Sequence, residues 1–433
     1  MAAEPLNPAA SGRRRLLADS VAALADQALL SALNLALGLL LIRLTTKESY
    51  GLYAQLVVGG LFAATVLESL VTGPLTNVAA GLDAQRRGVV VAHLARHQGR
   101  LALGLALLGG VAVALAVAWT GTDPWPVWLG TAFSVYVYTG SLREYVRSTG
   151  FLDGRARDVL RMDALYALAT AAAVGLLAAA GRLELPAVVL ALGLANLAAL
   201  AVRRLPAADR SDRSDRAGHA AAVAAVWQRG RWALPGALVA WATNYSYLFL
   251  AALWLGAAAS ADLNASRLLL MPISLCVVAW ARIARPHAAR LLAERQPARL
   301  ERYALASVAA LELLTLAYVA VLWLALPWLE ARVLGPKYAG LGTLVLAWGA
   351  YFAVYTVRWI GSALLSSGDR YRMLLASGMF CLVAMLAAAA WAIPRWGVWG
   401  AVAALALVEG LDLLLIWGVL LPRVRRAHAE TAR

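Results

Sequence analysis

Four arginines lie within or at the ends of stretches that are otherwise apolar: Arg143, Arg147, Arg267 and Arg358. An arginine in hydrocarbon costs roughly 2.5–3.5 kcal/mol on insertion scales, so each deep one is a functional candidate by default. The guanidinium is permanently charged, and its planar fork of donors matches phosphate or carboxylate oxygens. These residues are candidates for a cationic path that receives an anion. Arg358 is deep in its segment, whereas Arg267 is early enough in its own to snorkel to an interface instead. Arg143 and Arg147, four apart on one helix face beside Glu144, either receive an anion or anchor the topology. Arg282 and Arg285 resemble ordinary anchors.

Acids form the second group. Glu409 and Asp412 are three apart near the middle of one segment, while Glu68 and Glu312 are each central in another. Burial favours the protonated form of a carboxyl, so any of these could bind a proton or a sodium ion. The alternative is an internal ion pair with an arginine such as Arg358, or a protonated packing residue. Trp348, Tyr351, Phe352, Tyr355 and Trp359 recur at helical spacing. Tyr355 and Trp359 are candidates for stacking on sugar rings, with helix packing or interface anchoring as the alternative. Asn34 and Asn244 either hydrogen-bond glycan hydroxyls or tie helices together.

The elements that must position these residues are membrane spans. Of 433 residues 62% are hydrophobic, and the mean hydropathy is +0.69. That exceeds the apolar share of a soluble domain. A helix needs roughly 20 apolar residues to cross hydrocarbon, and the apolar segments predict an all-α polytopic membrane protein of about twelve spans. They run at 21–42, 52–77, 101–120, 125–146, 162–181, 184–202, 233–256, 264–284, 304–328, 341–365, 373–393 and 397–421. Arg13, Arg14 and Arg15 precede an apolar stretch too long for a cleavable signal, so the first span is expected to be retained. With the N-terminus in the cytoplasm, 29 of the 39 basic residues fall on inner segments, 7 on outer loops and 3 within or beside spans. The positive-inside rule then places both termini in the cytoplasm. The net charge of +15 is thus topological, and nucleic acid is not an expected partner. Cys276 and Cys381, each inside an apolar span, read as small buried hydrophobes with no disulfide or metal spacing.

The longest hydrophilic stretch, 203–231, has mixed charge and reads as a flexible cytoplasmic linker. It separates an N-lobe of six spans (21–202) from a C-lobe of six (232–421), with cytoplasmic ends at 1–20 and 422–433. The halves echo one another. Asn34 corresponds to Asn244, Leu52 and Ala54 to Leu263 and Ala265, and Pro74 to Pro286. Thr149-Gly150 before Arg155 and Arg157 likewise echoes Ser367-Gly368 before Arg370 and Arg372. An even number of spans per half gives both halves one orientation, so their pseudo-twofold axis is expected along the membrane normal.

Several motifs carry a family resemblance. Asp26-Gln27-Ala28-Leu29-Leu30-Ser31-Ala32-Leu33-Asn34 and Thr45-Thr46-Lys47-Glu48-Ser49-Tyr50-Gly51-Leu52-Tyr53-Ala54 resemble the opening of Wzx-type polysaccharide flippases. Ala265-Ser266-Arg267-Leu268, leading to Pro272 and Pro286, is similar to the eighth helix of these proteins and of the MurJ-like lipid II flippases. Leu334-Gly335-Pro336-Lys337-Tyr338-Ala339 resembles the outer turn before their tenth helix. All belong to the multidrug/oligosaccharidyl-lipid/polysaccharide (MOP) exporter superfamily, and the resemblance covers essentially the whole chain. It implies two six-helix lobes around a central cavity. It also implies translocation of an undecaprenyl-diphosphate-linked glycan across a bacterial inner membrane for surface polysaccharide synthesis. Other implied partners are membrane lipids, a proton or sodium ion, a polysaccharide polymerase and a chain-length regulator. Arg267 matches the family's arginine in that helix. MurJ-like proteins carry an arginine early in their second helix, where Gln55 stands here, which argues against lipid II.

Two rival readings are weaker. A multidrug exporter of the same superfamily needs a buried acid to attract a cationic drug, whereas Arg143, Arg267 and Arg358 make the expected path cationic. An O-antigen polymerase or ligase needs a large outer loop with catalytic groups, and no outer loop here exceeds roughly 15 residues. Metal cluster, phosphate-binding glycine loop and nucleophile triad are all absent from the sequence, so neither enzyme activity nor a cofactor is expected.

Overall fold

In a computed structural model, which describes residues 8–79, 81–202, 216–294, 296–367 and 371–423, the chain is helical and no strand forms among them. The helices of the first half are α1 (Pro8–Leu44), α2 (Lys47–Leu67), α3 (Gly73–Ala79), α4 (Ala84–Thr120), α5 (Pro126–Leu152), α6 (Ala156–Ala179) and α7 (Leu185–Leu200). Those of the second are α8 (Arg216–Leu255), α9 (Ala257–Leu268), α10 (Met271–Ala293), α11 (Pro297–Leu329), α12 (Gly342–Ser367), α13 (Tyr371–Trp396) and α14 (Val398–Leu414). Each predicted span coincides with one helix or one interrupted rod. Among the described residues nine rods are long and apolar enough to cross a membrane. The other three are α5, which carries Arg143, Glu144 and Arg147; α7, with 16 residues; and the α9–α10 pair.

Two rods are broken where proline removes a helical donor. The span predicted as continuous over 264–284 is instead bent by 55° between α9 and α10. Pro272, in the first turn of α10, cannot donate back to the preceding turn, and its ring crowds the carbonyl there. Pro74 acts similarly on the second rod. Ahead of it the chain widens into a π-turn, Glu68–Thr72, in which Gly73 N–H reaches the Glu68 carbonyl. Large apolar side chains face outward on many rods: Leu108 is 72% exposed, Leu324 80% and Val383 65%. In water such a surface would aggregate; against lipid tails it is the expected exterior.

The chain divides into two compact units, residues 1–44 with 56–237 and residues 45–55 with 238–433. In the first, α5 packs against α4 and α7, and α6 against α1 and α7. Small residues permit the close approach: a Cβ on Gly130 of α5 would lie 2.4 Å from the Gly110 carbonyl oxygen of α4. In the second, α12 is central, packing against α9, α10, α11 and α14.

Part of the expected linker is ordered. Residues 216–231 are the first turns of α8, because Ala222, Val223 and Val226 supply an apolar face. That face packs on Val71, Leu75, Val90 and Leu94 in the first unit. Residues 203–215, the first seven residues, the tail beyond Arg423 and the Gly368–Arg370 part of the repeat lie outside the described residues. Cys381 is buried as expected, but Cys276 is exposed, since it falls on the outward side of α10.

Candidate functional site

Several charged residues of the spans pair with one another within each unit. In the first, helical spacing brings Arg143 and Arg147 of α5 together, and the packing of α1, α6 and α7 supplies their partners. Arg143 donates from Nη1 to Asp163 Oδ1 at 2.5 Å and from Nε to Asn196 Oδ1 at 2.7 Å. Its guanidinium lies 3.9 Å from the centre of the Tyr166 ring. Arg147 donates from Nε to Asp163 Oδ2 at 2.9 Å, from Nη2 to Asp26 Oδ2 at 2.6 Å and from Nη1 to Glu144 Oε1 at 3.2 Å. Asp26 and Asp163 are fully buried. Two buried acids therefore face the two arginines, with Glu144 at the rim, and Asp163, bridging both arginines, helps hold four helices in register. Arg143 and Arg147, candidates either to receive a substrate anion or to anchor the topology, here pair with the chain's own carboxylates.

Asp26, Asp163, Asn196 and Tyr166 are absent from the candidates that the sequence singles out. Charge balance was the available signal, because a buried arginine needs an acid and each of these aspartates lies near the N-terminal end of an apolar segment. Glu68 is exposed on its π-turn, close enough to Glu144 to feel its charge. Asn34 is exposed on α1.

In the second unit two arginines are treated differently. Arg358 of α12 donates from Nε to Glu409 Oε1 at 2.5 Å, with Asp412 Oδ2 at 3.6 Å and Ser362 Oγ at 3.3 Å from Nη1. The acid pair of α14 and the deep arginine thus form one triad, the internal ion pair given above as the alternative to ion binding. Its acids outnumber its cation, and Asp412 Oδ1 is buried without a hydrogen-bond partner. Glu312 of α11 is half-buried and also has an unpartnered oxygen.

Arg267 has a different environment. Its Nη1 donates to the Tyr247 hydroxyl at 2.8 Å and lies 3.5 Å from the Asn244 carbonyl. The rings of Trp348, Tyr245 and Tyr247 sit 5.3, 5.6 and 5.7 Å from its guanidinium carbon, within cation–π range. Among the described residues no carboxylate lies within ion-pairing distance of it. Trp348, whose Nε1 donates to Ser266 Oγ at 3.0 Å, is fully buried and fixes one wall of this cage. Tyr351, also fully buried, has a hydroxyl with no hydrogen-bond partner. The stripe continues along α12 through Tyr355, stacked on Tyr351 at 6.0 Å with Arg358 over its other neighbourhood at 5.4 Å. Trp359 instead lies 5.1 Å from Arg285. The Asn244 side chain donates to the Ala240 carbonyl of its own helix at 2.8 Å. A crevice between α10 and α11, lined by Pro272, Cys276, Thr315 and Tyr318, includes none of the candidate residues. Among the described residues no group of three or more His, Cys, Asp or Glu side chains is placed to hold a metal ion.

The arrangement of the helices is shared with solved membrane proteins. A multidrug-resistance MATE family transporter of the MOP superfamily in its inward-facing conformation superposes with a TM-score of 0.73 at 14% identity, over 94% of this chain and 99% of that one. The fold is that of the MATE transporters. A MOP superfamily transporter from Pyrococcus furiosus gives 0.66 at 13% identity over 95% of each chain. The Vibrio cholerae MATE transporter VcmN, as a variant, gives 0.65 at 12% identity over 96% and 98%. No protein-family model and no curated protein sequence matches the chain.

Proposed function

We propose that this protein is a flippase that moves an undecaprenyl-diphosphate-linked oligosaccharide across the bacterial inner membrane by alternating access, with both termini in the cytoplasm. The observation that carries the reading is Arg267. Of the four candidate arginines it alone has aromatic and hydroxyl partners instead of carboxylates, so its charge remains for a ligand. A diphosphate supplies the matching charge, and the surrounding rings offer faces for a sugar. The motifs around Lys47, Arg267 and Lys337 support the same substrate class. The six-and-six lobe arrangement about a membrane-normal axis is part of this proposal.

The test is export of surface glycan in cells carrying Arg267→Ala or Arg267→Lys at normal protein level. Alanine should abolish export, and lysine should restore only part of it, because a point charge cannot fork onto phosphate. Normal export by the alanine variant would refute the cationic-path mechanism.

A multidrug antiporter is the second reading. It is favoured by Glu312, a half-buried acid with an unpartnered oxygen, and by the multidrug MATE transporters that share the fold. One neighbour is described as having a binding pocket of reversed polarity that suggests a different function, so the fold alone does not fix the charge of the cargo. Drug susceptibility of a deletion strain, restored by the parent and lost again in Glu312→Gln, would favour this reading.

A further inference from the structure

Tyr351 of α12 carries a polar group that the packing around it does not use. Its side chain is fully buried, and its hydroxyl has no hydrogen-bond partner among the described residues. The ring lies edge-on to Trp348 at 5.4 Å and to Phe352 at 5.2 Å, and stacks on Tyr355 at 6.0 Å. A phenylalanine would keep all three ring contacts, as Phe352 shows one position further along, where it too is fully buried. The hydroxyl therefore adds nothing to the packing, and burying it unpaired lowers stability. A native protein that keeps such a group calls for a partner that arrives from elsewhere.

The surroundings of the hydroxyl indicate the chemistry of that partner. It is close enough to Glu409, Arg267 and Arg358 to feel their charges. Glu409 is the one acceptor of the three, and Arg358 already holds it at 2.5 Å. The two arginines are donors only. Trp348 lies beside both Arg267 and Tyr351, its ring centre 5.3 Å from the guanidinium carbon and 5.4 Å from the Tyr351 ring, and its own N–H is committed to Ser266. The Tyr247 hydroxyl is engaged as the acceptor for Arg267 at 2.8 Å. Among the described residues, then, the cage joins a guanidinium without a carboxylate to a hydroxyl without an acceptor. One kind of ligand group completes both, an anion that offers several acceptor oxygens, as a phosphate does.

We propose that Tyr351 is a second substrate-binding donor, whose hydroxyl joins Arg267 in holding a phosphate oxygen of the cargo, and that it is retained although it lowers the stability of the resting protein. The inference deepens the flippase reading and rests on it. The test is Tyr351→Phe, with Tyr318→Phe as a contrast, because the Tyr318 hydroxyl already donates to the Leu269 carbonyl at 2.7 Å. In SDS unfolding of the purified full chain from mixed micelles, Tyr351→Phe should be at least as stable as the parent, and Tyr318→Phe less stable. Inorganic pyrophosphate, used as the probe, should bind Tyr351→Phe about tenfold more weakly than the parent, the loss of one hydrogen bond to a charged group. Arg267→Ala should abolish that binding. A purely structural tyrosine gives the reverse pattern, lower stability with unchanged pyrophosphate affinity. Lower stability of Tyr351→Phe would mean that the hydroxyl has a partner at rest, and equal affinity would mean that it does not meet the anion; either overturns the proposal. A parent that binds no pyrophosphate overturns it together with the anion-binding reading of Arg267. Pyrophosphate binding as expected, in variants whose cells still export surface glycan, supports the phosphate site and places the error in the glycan cargo alone.

Discussion

Replacing Asp163 by alanine tests whether the first-unit network is structural. In the parent this carboxylate is fully buried and accepts from Arg143 at 2.5 Å and Arg147 at 2.9 Å. Arg147 would keep Asp26 at 2.6 Å and Glu144 at 3.2 Å. Arg143, only 12% exposed, would keep Asn196 and the Tyr166 face but lose its only carboxylate. Breaking a buried pair by removing one partner costs about 3–5 kcal/mol. The remaining cation–π contact offsets about 1 kcal/mol of that, so a loss of about 3 kcal/mol is expected. Adding Arg143→Leu removes the orphaned charge, and the double variant should recover most of the stability. The assay is reversible unfolding of the purified protein in mixed micelles by added SDS, for the parent, both single variants and the double. An Asp163→Ala protein within about 1 kcal/mol of the parent would refute the reasoning, as would a double variant whose loss equals the sum of the two singles. If Arg143 instead met the substrate, Arg143→Leu alone would stop export without this stability signature.

Three further outcomes are expected. Glu409→Gln with Asp412→Asn should make glycan translocation in proteoliposomes insensitive to an imposed pH or sodium gradient, and should destabilise the protein by about 3 kcal/mol through the orphaned Arg358; a wild-type gradient response would leave the two acids as structural partners only. Gly130→Ala should cost about 1–3 kcal/mol in the same unfolding assay, because its methyl would enter the Gly110 carbonyl contact, whereas Gly104→Ala, with open space at its Cβ, should be neutral. Reporter fusions should place residues 80–98, 205–230 and the C-terminus in the cytoplasm and residues near 122 and 335 outside; a C-terminal reporter active only outside would overturn the orientation.

Span positions follow from the sequence alone because crossing hydrocarbon is a local requirement. Every spanning segment must satisfy its own backbone and present apolar side chains along its length, so hydropathy marks α1 or α11 without reference to any neighbour. Proline breaks are local in the same way: Pro272 and Pro74 are legible, although the bend at Leu269–Leu270 and the π-turn ahead of Gly73 appear only in three dimensions. Charge pairing is not local. Glu409 and Arg358 are 51 residues apart, and Arg147 and Asp26 are 121 apart, so no spacing rule joins them. The sequence therefore marks Arg143, Arg147, Arg267 and Arg358 as candidate cations that differ in depth, without showing what each one meets. Helix packing alone separates them, giving carboxylates to three and an aromatic cage to Arg267. The same holds for the start of α2, whose residues read as the opening of a first-half span. Its attachment to α9 and the Pro336–Tyr338 turn depends on side chains more than 200 residues away, and on a glycine that lets two backbones touch.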